Sequence, residues 1–130
     1  MLKRKLGSQG LEVPAIGLGC MGMTIQYGAL DDEESIATIH HALDIGLNLL
    51  NTSDAYGKGK NETLICTAIK DRRSDILINT KFGQMTKPDG SAGVDGRPEY
   101  VKEACEASLK RLETDFIDIF SQHRVDTDVP

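Results

Sequence analysis

Gly17-Leu18-Gly19-Cys20-Met21-Gly22 decides the fold through the residues that come after it. The six residues match the G-x-G-x-x-G pattern of a dinucleotide-binding turn. In that turn the last glycines open a helix directly, so that its N-terminus meets a pyrophosphate. Here residues 23–30 intervene, and the first capped helix begins only near Asp31. The doubly wound dinucleotide fold is therefore disfavoured. Two other readings stay open: the glycines let the backbone turn at a strand end, or a flat ligand passes close over them.

Upstream, Leu2 to Leu6 and Leu11 to Val13 flank Gly7-Ser8-Gln9-Gly10, which is turn chemistry, and predict a short hairpin that Pro14 ends. Downstream, the chain alternates. Residues 16–19 predict a strand and residues 31–46 a helix, with Asp31 as cap and Glu34 three residues on. Ile36, Ile39 and Leu43 share one face, and Gly46 fits the stop. A strand over 47–51, a helix over 61–70 and a strand over 75–81 come next. Residues 83–97 hold Gly83, Gly90, Gly93 and Gly96 and predict a flexible loop, either a substrate lid or a plain surface connection. Pro98 suits the first turn of a third helix, with Val101, Ala104, Cys105, Ser108 and Leu112 on its stripe. Residues 116–120 predict the fourth strand of this series.

Strands joined by helical crossovers give a parallel sheet covered by helices, either open or curved into a barrel. The expected fold is α/β: the N-terminal half of a parallel (β/α)8 barrel with a short N-terminal hairpin. Residues 1–130 form one partial barrel domain with four strands and three helices, ending before the barrel can close.

Composition narrows the function. With 39% apolar and 27% charged residues the chain is ordinary globular, and a net charge of -5 disfavours a nucleic-acid binder. Cys20, Cys66 and Cys105 are odd in number and widely spaced, so free thiols in a reducing compartment are expected, and no metal site. No run approaches the ~20 apolar residues of a membrane span, and nothing resembles a secretory signal, so a cytoplasmic location is expected. The sequons at Asn51 and Asn61 then read as chance.

The predicted strands end at Cys20, Asn51, Lys81 and Gln122-His123, spaced 31, 30 and 42 residues apart. Each repeat delivers a small or polar residue to one rim, where barrel enzymes place their chemistry. Lys81, His123 and the loop residue Tyr56 each have an ordinary structural explanation, but three of them on successive strand ends point to a shared task. A tyrosine has a reference pKa of about 10. A lysine cation at ~4 Å stabilises its phenolate by up to about 4 kcal/mol at an effective dielectric near 20. A tyrosine so tuned can protonate a carbonyl oxygen near neutral pH, and a neighbouring histidine can orient that oxygen.

These residues resemble the aldo-keto reductases. The resemblance runs through residues 13–23, through Leu50-Asn51-Thr52-Ser53-Asp54-Ala55-Tyr56-Gly57 with Asn61-Glu62, and through Thr80-Lys81-Phe82-Gly83. It continues in Arg97-Pro98-Glu99-Tyr100-Val101, Glu106-Ala107-Ser108-Leu109-Lys110-Arg111-Leu112 and Gln122-His123-Arg124-Val125-Asp126. The branch with plant, fungal and bacterial NADP-dependent reductases is the most similar. The resemblance implies an eight-fold barrel floored by the hairpin, and hydride transfer from NADP(H) to a small aldehyde or ketone. Tyr56 matches the proton donor, Lys81 its cationic partner and His123 the substrate-orienting histidine. Gly19, Cys20 and Met21, with Asn51, match the nicotinamide end. The catalytic aspartate of the family falls at Asn51, an amide here, and Asp54 is expected to point elsewhere.

Three functions compete. The leading one is an oxidoreductase reducing carbonyls to alcohols. The second is a truncated or degenerate half-barrel without catalysis, serving as a binding or assembly module and self-associating through its exposed edges. The third is an independent open-sheet, flavodoxin-like domain.

Overall fold

Leu11–Pro14 (β2) folds back on Lys3–Leu6 (β1) as an antiparallel pair, closed by the turn at 7–10. The structure is a computed structural model that describes residues 1–25, 28 and 30–129. Pro14 is the last residue of the pairing, as expected, and stands opposite Lys3. It is tolerated because the flanking bond is made by the Ala15 N–H to the Leu2 carbonyl, 2.8 Å.

Four strands form the parallel sheet, in the order β3 (Leu18–Gly19), β4 (Leu49–Asn51), β5 (Leu77–Phe82) and then the last strand, Ile119–Gln122. Each strand after the first pairs with the one before it in the series, and all run the same way. Helices Asp32–Asp44 (α1), Lys60–Ile69 (α2) and Pro98–Leu112 (α3) cover one face. Asp31 caps α1 by accepting the Glu34 N–H at 2.9 Å, as the sequence pattern predicts. Beyond the end of α1, Gly46 turns the chain at a φ of +82°, where a side chain would be strained. In place of a helix at the glycine-rich segment there is only a single turn, Met21–Met23.

The segment 83–97 is more ordered than predicted. It contains a second hairpin, β6 (Gln84–Thr86) against β7 (Ala92–Val94). Its turn is fixed by the Asp89 carboxylate, which accepts from the Ser91 N–H and hydroxyl. The fourth sheet strand, β8, begins at Ile119 and not at Phe116. Arg73 explains the shift. It donates to the Phe116 carbonyl and to Asp118, and stacks on the Phe116 ring at 3.9 Å, which holds 116–118 outside the sheet.

The core lies between sheet and helices. Leu50, Ile78, Ile39 and Ile65 are completely buried there, with Cys20, Ile69 and Leu112 beside them. The alternation of the strands then turns Asn51, Asn79 and Lys81 to the opposite face.

Candidate active site

Lys81 is the last inner-face residue of β5, and its ammonium group organises the rim. Its Nζ donates to Asn51 Oδ1 at 2.8 Å, to the Thr52 carbonyl at 2.6 Å and to the Tyr56 hydroxyl at 3.3 Å. An ammonium has three donors, and these partners account for them. Partial burial holds the Lys81 pKa below the usual lysine range. Because the ammonium donates, the phenol oxygen accepts, and the Tyr56 proton is directed elsewhere.

The loop carrying Tyr56 is tied down from both sides. The Thr52 N–H donates to the Asn79 carbonyl and the Asp54 N–H to the Lys81 carbonyl. Behind it, the Thr52 hydroxyl donates to Asn61 Oδ1 at 2.6 Å, and Asn61 Nδ2 donates to the Cys20 carbonyl and the Thr24 hydroxyl. Glu62, wholly buried, accepts from the Thr80 hydroxyl and from Arg111 Nε, both at 2.6 Å. Arg111 reaches it by passing over Gly59, where a Cβ would stand 2.5 Å from Arg111 Cδ. A buried charge with two strong partners fixes the start of α2, and with it the loop.

His123 follows β8, its N–H bonded to the Phe82 carbonyl at 2.8 Å. The ring meets Tyr56 edge-on, centroids 5.7 Å apart at 85°. Its Nδ1 lies 3.1 Å from the Ser53 hydroxyl. Burial, with Lys81 and Arg124 nearby, pushes its pKa below the ordinary histidine value, which favours a neutral imidazole. The structure thus brings Asn51, Tyr56, Lys81 and His123 together at the C-terminal rim.

The glycine-rich segment divides. Gly19 is exposed at the strand end beside Asn51, its register partner, and a Cβ built on it meets no atom within 4 Å. A flat group can lie against it. Met21 is half-buried on the following turn. Cys20 ends its strand at the rim, but its side chain is wholly buried in the helix-side core as a small apolar filler, the more expected of its two readings, and burial pushes its thiol up to about 12. Its N–H and carbonyl are also engaged, by the Asn51 carbonyl and Asn61.

The Asp54 carboxylate is not among the partners of the Lys81 ammonium; its Oδ1 accepts from the Ser53 hydroxyl at 3.2 Å, and burial raises its pKa. It borders a cavity of about 690 Å³ with Met85, Tyr100, Glu103 and Arg111, outside the ring of Tyr56, Lys81 and His123. Sequence reasoning does not single out Ser53, Asn61 or Glu62 as individual residues. The signal available is the run of polar residues on an otherwise inward-facing helix start.

Comparison with known proteins bears on the family and the fold. The sequence profile described as "Aldo/keto reductase family" matches residues 15–130. "Probable aldo-keto reductase 1" of Glycine max is 44% identical over 128 residues, which cover 97% of this chain and 37% of that protein. Among solved structures, the holo form of an aldo-keto reductase from Bacillus halodurans superposes with a TM-score of 0.87 at 36% identity, covering 100% of this chain and 42% of that one. A glycerol dehydrogenase from Gluconobacter oxydans gives 0.84 at 27% identity, covering 98% and 41%. The chain therefore spans less than half the length of these proteins, and it belongs to the aldo/keto reductase family.

Proposed function

We propose that this chain carries the proton-donating half of an NADP(H)-dependent carbonyl reductase site, acting on a small aldehyde or ketone. One observation carries the reading: the Lys81 ammonium is bonded at once to Asn51, the Thr52 carbonyl and the Tyr56 hydroxyl. When bound, NADPH supplies a hydride to the carbonyl carbon. Tyr56 gives its proton to the carbonyl oxygen as that oxygen gains charge. Lys81, 3.3 Å away, stabilises the negative charge left on the phenol oxygen. Asn51 and the Thr52 carbonyl aim the ammonium, and His123, edge-on to Tyr56, hydrogen-bonds the same carbonyl oxygen. Gly19, Met21 and Asn51 would hold the nicotinamide, for which the open space over Gly19 is suited.

The donors of Lys81 are already engaged, so they offer nothing to the phosphates of the dinucleotide. Affinity of the 130-residue chain for NADPH is expected on the order of millimolar, about 4 kcal/mol. The test is NADPH oxidation with nitrobenzaldehyde, with calorimetry in parallel. Turnover above background that Tyr56→Phe removes supports the reading; turnover that survives the substitution rejects it.

A second reading rests on a separate observation. Among the described residues, β3 and β8 each pair on one side only. Open edges recruit other strands, so the 130-residue chain in isolation is expected to self-associate. Sedimentation showing a monodisperse monomer that melts cooperatively would reject this.

A further inference from the structure

Asn61 is the second residue of α2, and its side chain is wholly buried. A buried amide must find partners for its N–H donors and its oxygen. Nδ2 donates to the Cys20 carbonyl at 2.8 Å and to the Thr24 hydroxyl at 2.9 Å, and Oδ1 accepts from the Thr52 hydroxyl at 2.6 Å. One partner fixes the direction of all three bonds. A carbonyl only accepts, so the NH2 end of the amide has to face Cys20. The oxygen then faces Thr52, whose hydroxyl has to donate.

The partners belong to two different parts of the site. Cys20 and Thr24 flank the single turn Met21–Met23, which has no side-chain cap of its own, so Asn61 grips that turn at both ends. Thr52, also wholly buried, offers its carbonyl to the Lys81 ammonium in the shortest of the three bonds that Lys81 makes, 2.6 Å against 2.8 and 3.3 Å. The Thr52 N–H is held by the Asn79 carbonyl at 2.8 Å. The bond to Asn61 is a second fixed point, which aims the carbonyl.

We propose that Asn61 is a positioning residue that sets the turn carrying Met21 and the carbonyl seat of Lys81 in one frame. The functional meaning rests on the reductase reading, in which the turn holds the nicotinamide and the seat aims the ammonium at Tyr56. Hydride and proton go to adjacent atoms of one carbonyl group, so their two sources need a common reference, and a misplacement of ~1 Å can cost ~10²-fold in rate. The sheet supplies one link between the two sides, the Cys20 N–H to the Asn51 carbonyl at 2.9 Å. Asn61 supplies a second link beyond the strand ends, and two links resist the rotation that one allows.

Two substitutions of nearly unchanged shape cut the two arms separately. Thr52→Val removes the hydroxyl and leaves both Nδ2 bonds. Asn61→Asp keeps an oxygen for the Thr52 hydroxyl, but a carboxyl group has at most one proton to give where the amide gives two. Hydrogen exchange of the 130-residue chain, read segment by segment by mass spectrometry, follows residues 21–25 for the turn and 52–56 for the lysine seat. Residues 98–112 report loosening of the whole molecule. Thr52→Val is expected to speed exchange in 52–56 by roughly 3- to 10-fold, the scale of one lost hydrogen bond. Asn61→Asp should do so in 21–25, and Asn61→Leu in both. An Asn61→Asp chain that exchanges like the unsubstituted one overturns the assignment. So does a Thr52→Val effect as strong in 21–25 as in 52–56, or a rise shared equally with 98–112. Exchange needs no cofactor or substrate, so it can fail while the reductase reading stands. Turnover gives the functional arm: in the nitrobenzaldehyde assay Thr52→Val should lower kcat by ~10-fold and leave the KM for NADPH, whereas Asn61→Asp should raise that KM. The reverse split overturns the positioning role. A chain without turnover before any substitution counts against the reductase reading alone, and the exchange pattern then decides.

Discussion

Leu77 and Ile78 are chain neighbours in β5, yet they belong to two different molecules in effect. Ile78 faces the helices and is completely buried, together with Leu50 and Thr80. Leu77 faces the other way, on the side of Asn79 and Lys81, and is only half-buried. The helix side of the sheet is where stability is made; the other side presents chemistry and keeps its groups accessible. Strand alternation separates the two tasks residue by residue, so a change on one face should leave the other's property largely intact.

The largest effect that tests this contrast is on stability. Ile78→Ala in the 130-residue chain should destabilise it by about 2–5 kcal/mol, the range for emptying a packed core site. Leu77→Ala, one residue away, should lose about 1 kcal/mol, because part of the side chain is already wet. Urea denaturation of the two variants compares them directly, and equal losses would mean that both faces are packed.

Next comes the rim. With the chain completed to full length by the remainder of the Glycine max relative, Tyr56→Phe should lower kcat by roughly 10² or more, as for a lost general acid, with NADPH binding kept. Steady-state kinetics and a cofactor titration read the two separately. Unchanged turnover would remove Tyr56 from the proton-donor role. Unfolding midpoints should hardly move, which is the other half of the comparison.

A smaller effect is expected at Asn51. The amide aims Lys81 but brings no charge. In the same full-length context Asn51→Asp should raise kcat by ~10-fold, as a charge-assisted bond aims the ammonium better. It should also alter the pH profile. Turnover needs the ammonium, so it falls as pH rises through the Lys81 pKa, which burial has lowered. A carboxylate at position 51 raises that pKa and moves the falling limb to higher pH. Asp54→Asn keeps an acceptor oxygen beside Ser53 and should change the rate little. Kinetics across roughly pH 6 to 9 tests both; no change for the first and abolition by the second would move the carboxylate role to Asp54.

The sequence is most readable where local chemistry acts alone. The Asp31 cap, the stripe Leu64, Ile65, Ala68 and Ile69 on α2, and the strand ends at Asn51 and Lys81 all follow from spacing. It is least readable where a distant side chain decides. Arg73 keeps Phe116 out of the sheet from 43 residues away, and no periodicity marks that. The Glu62–Arg111 pair is likewise invisible locally, since a glutamate in the first turn of a helix is normally solvated. Cys20, by contrast, is readable as a small apolar filler, since alternation from Leu18, the register partner of the core residue Leu50, puts its side chain on the helix side.

Because the strands pair in the order in which they are made, the molecule has a direction in time. The contacts that Lys81 makes join it to residues 25 to 30 positions earlier, whereas His123 reaches back 70 positions to Ser53. Lys81 follows Asn51 by 30 residues, roughly 2–6 s at a ribosomal pace of about 5–20 residues per second. The lysine can therefore clasp the Tyr56 loop while His123 is still untranslated. His123 arrives last, at a rim already in place, and needs only to dock its ring between Ser53 and Tyr56.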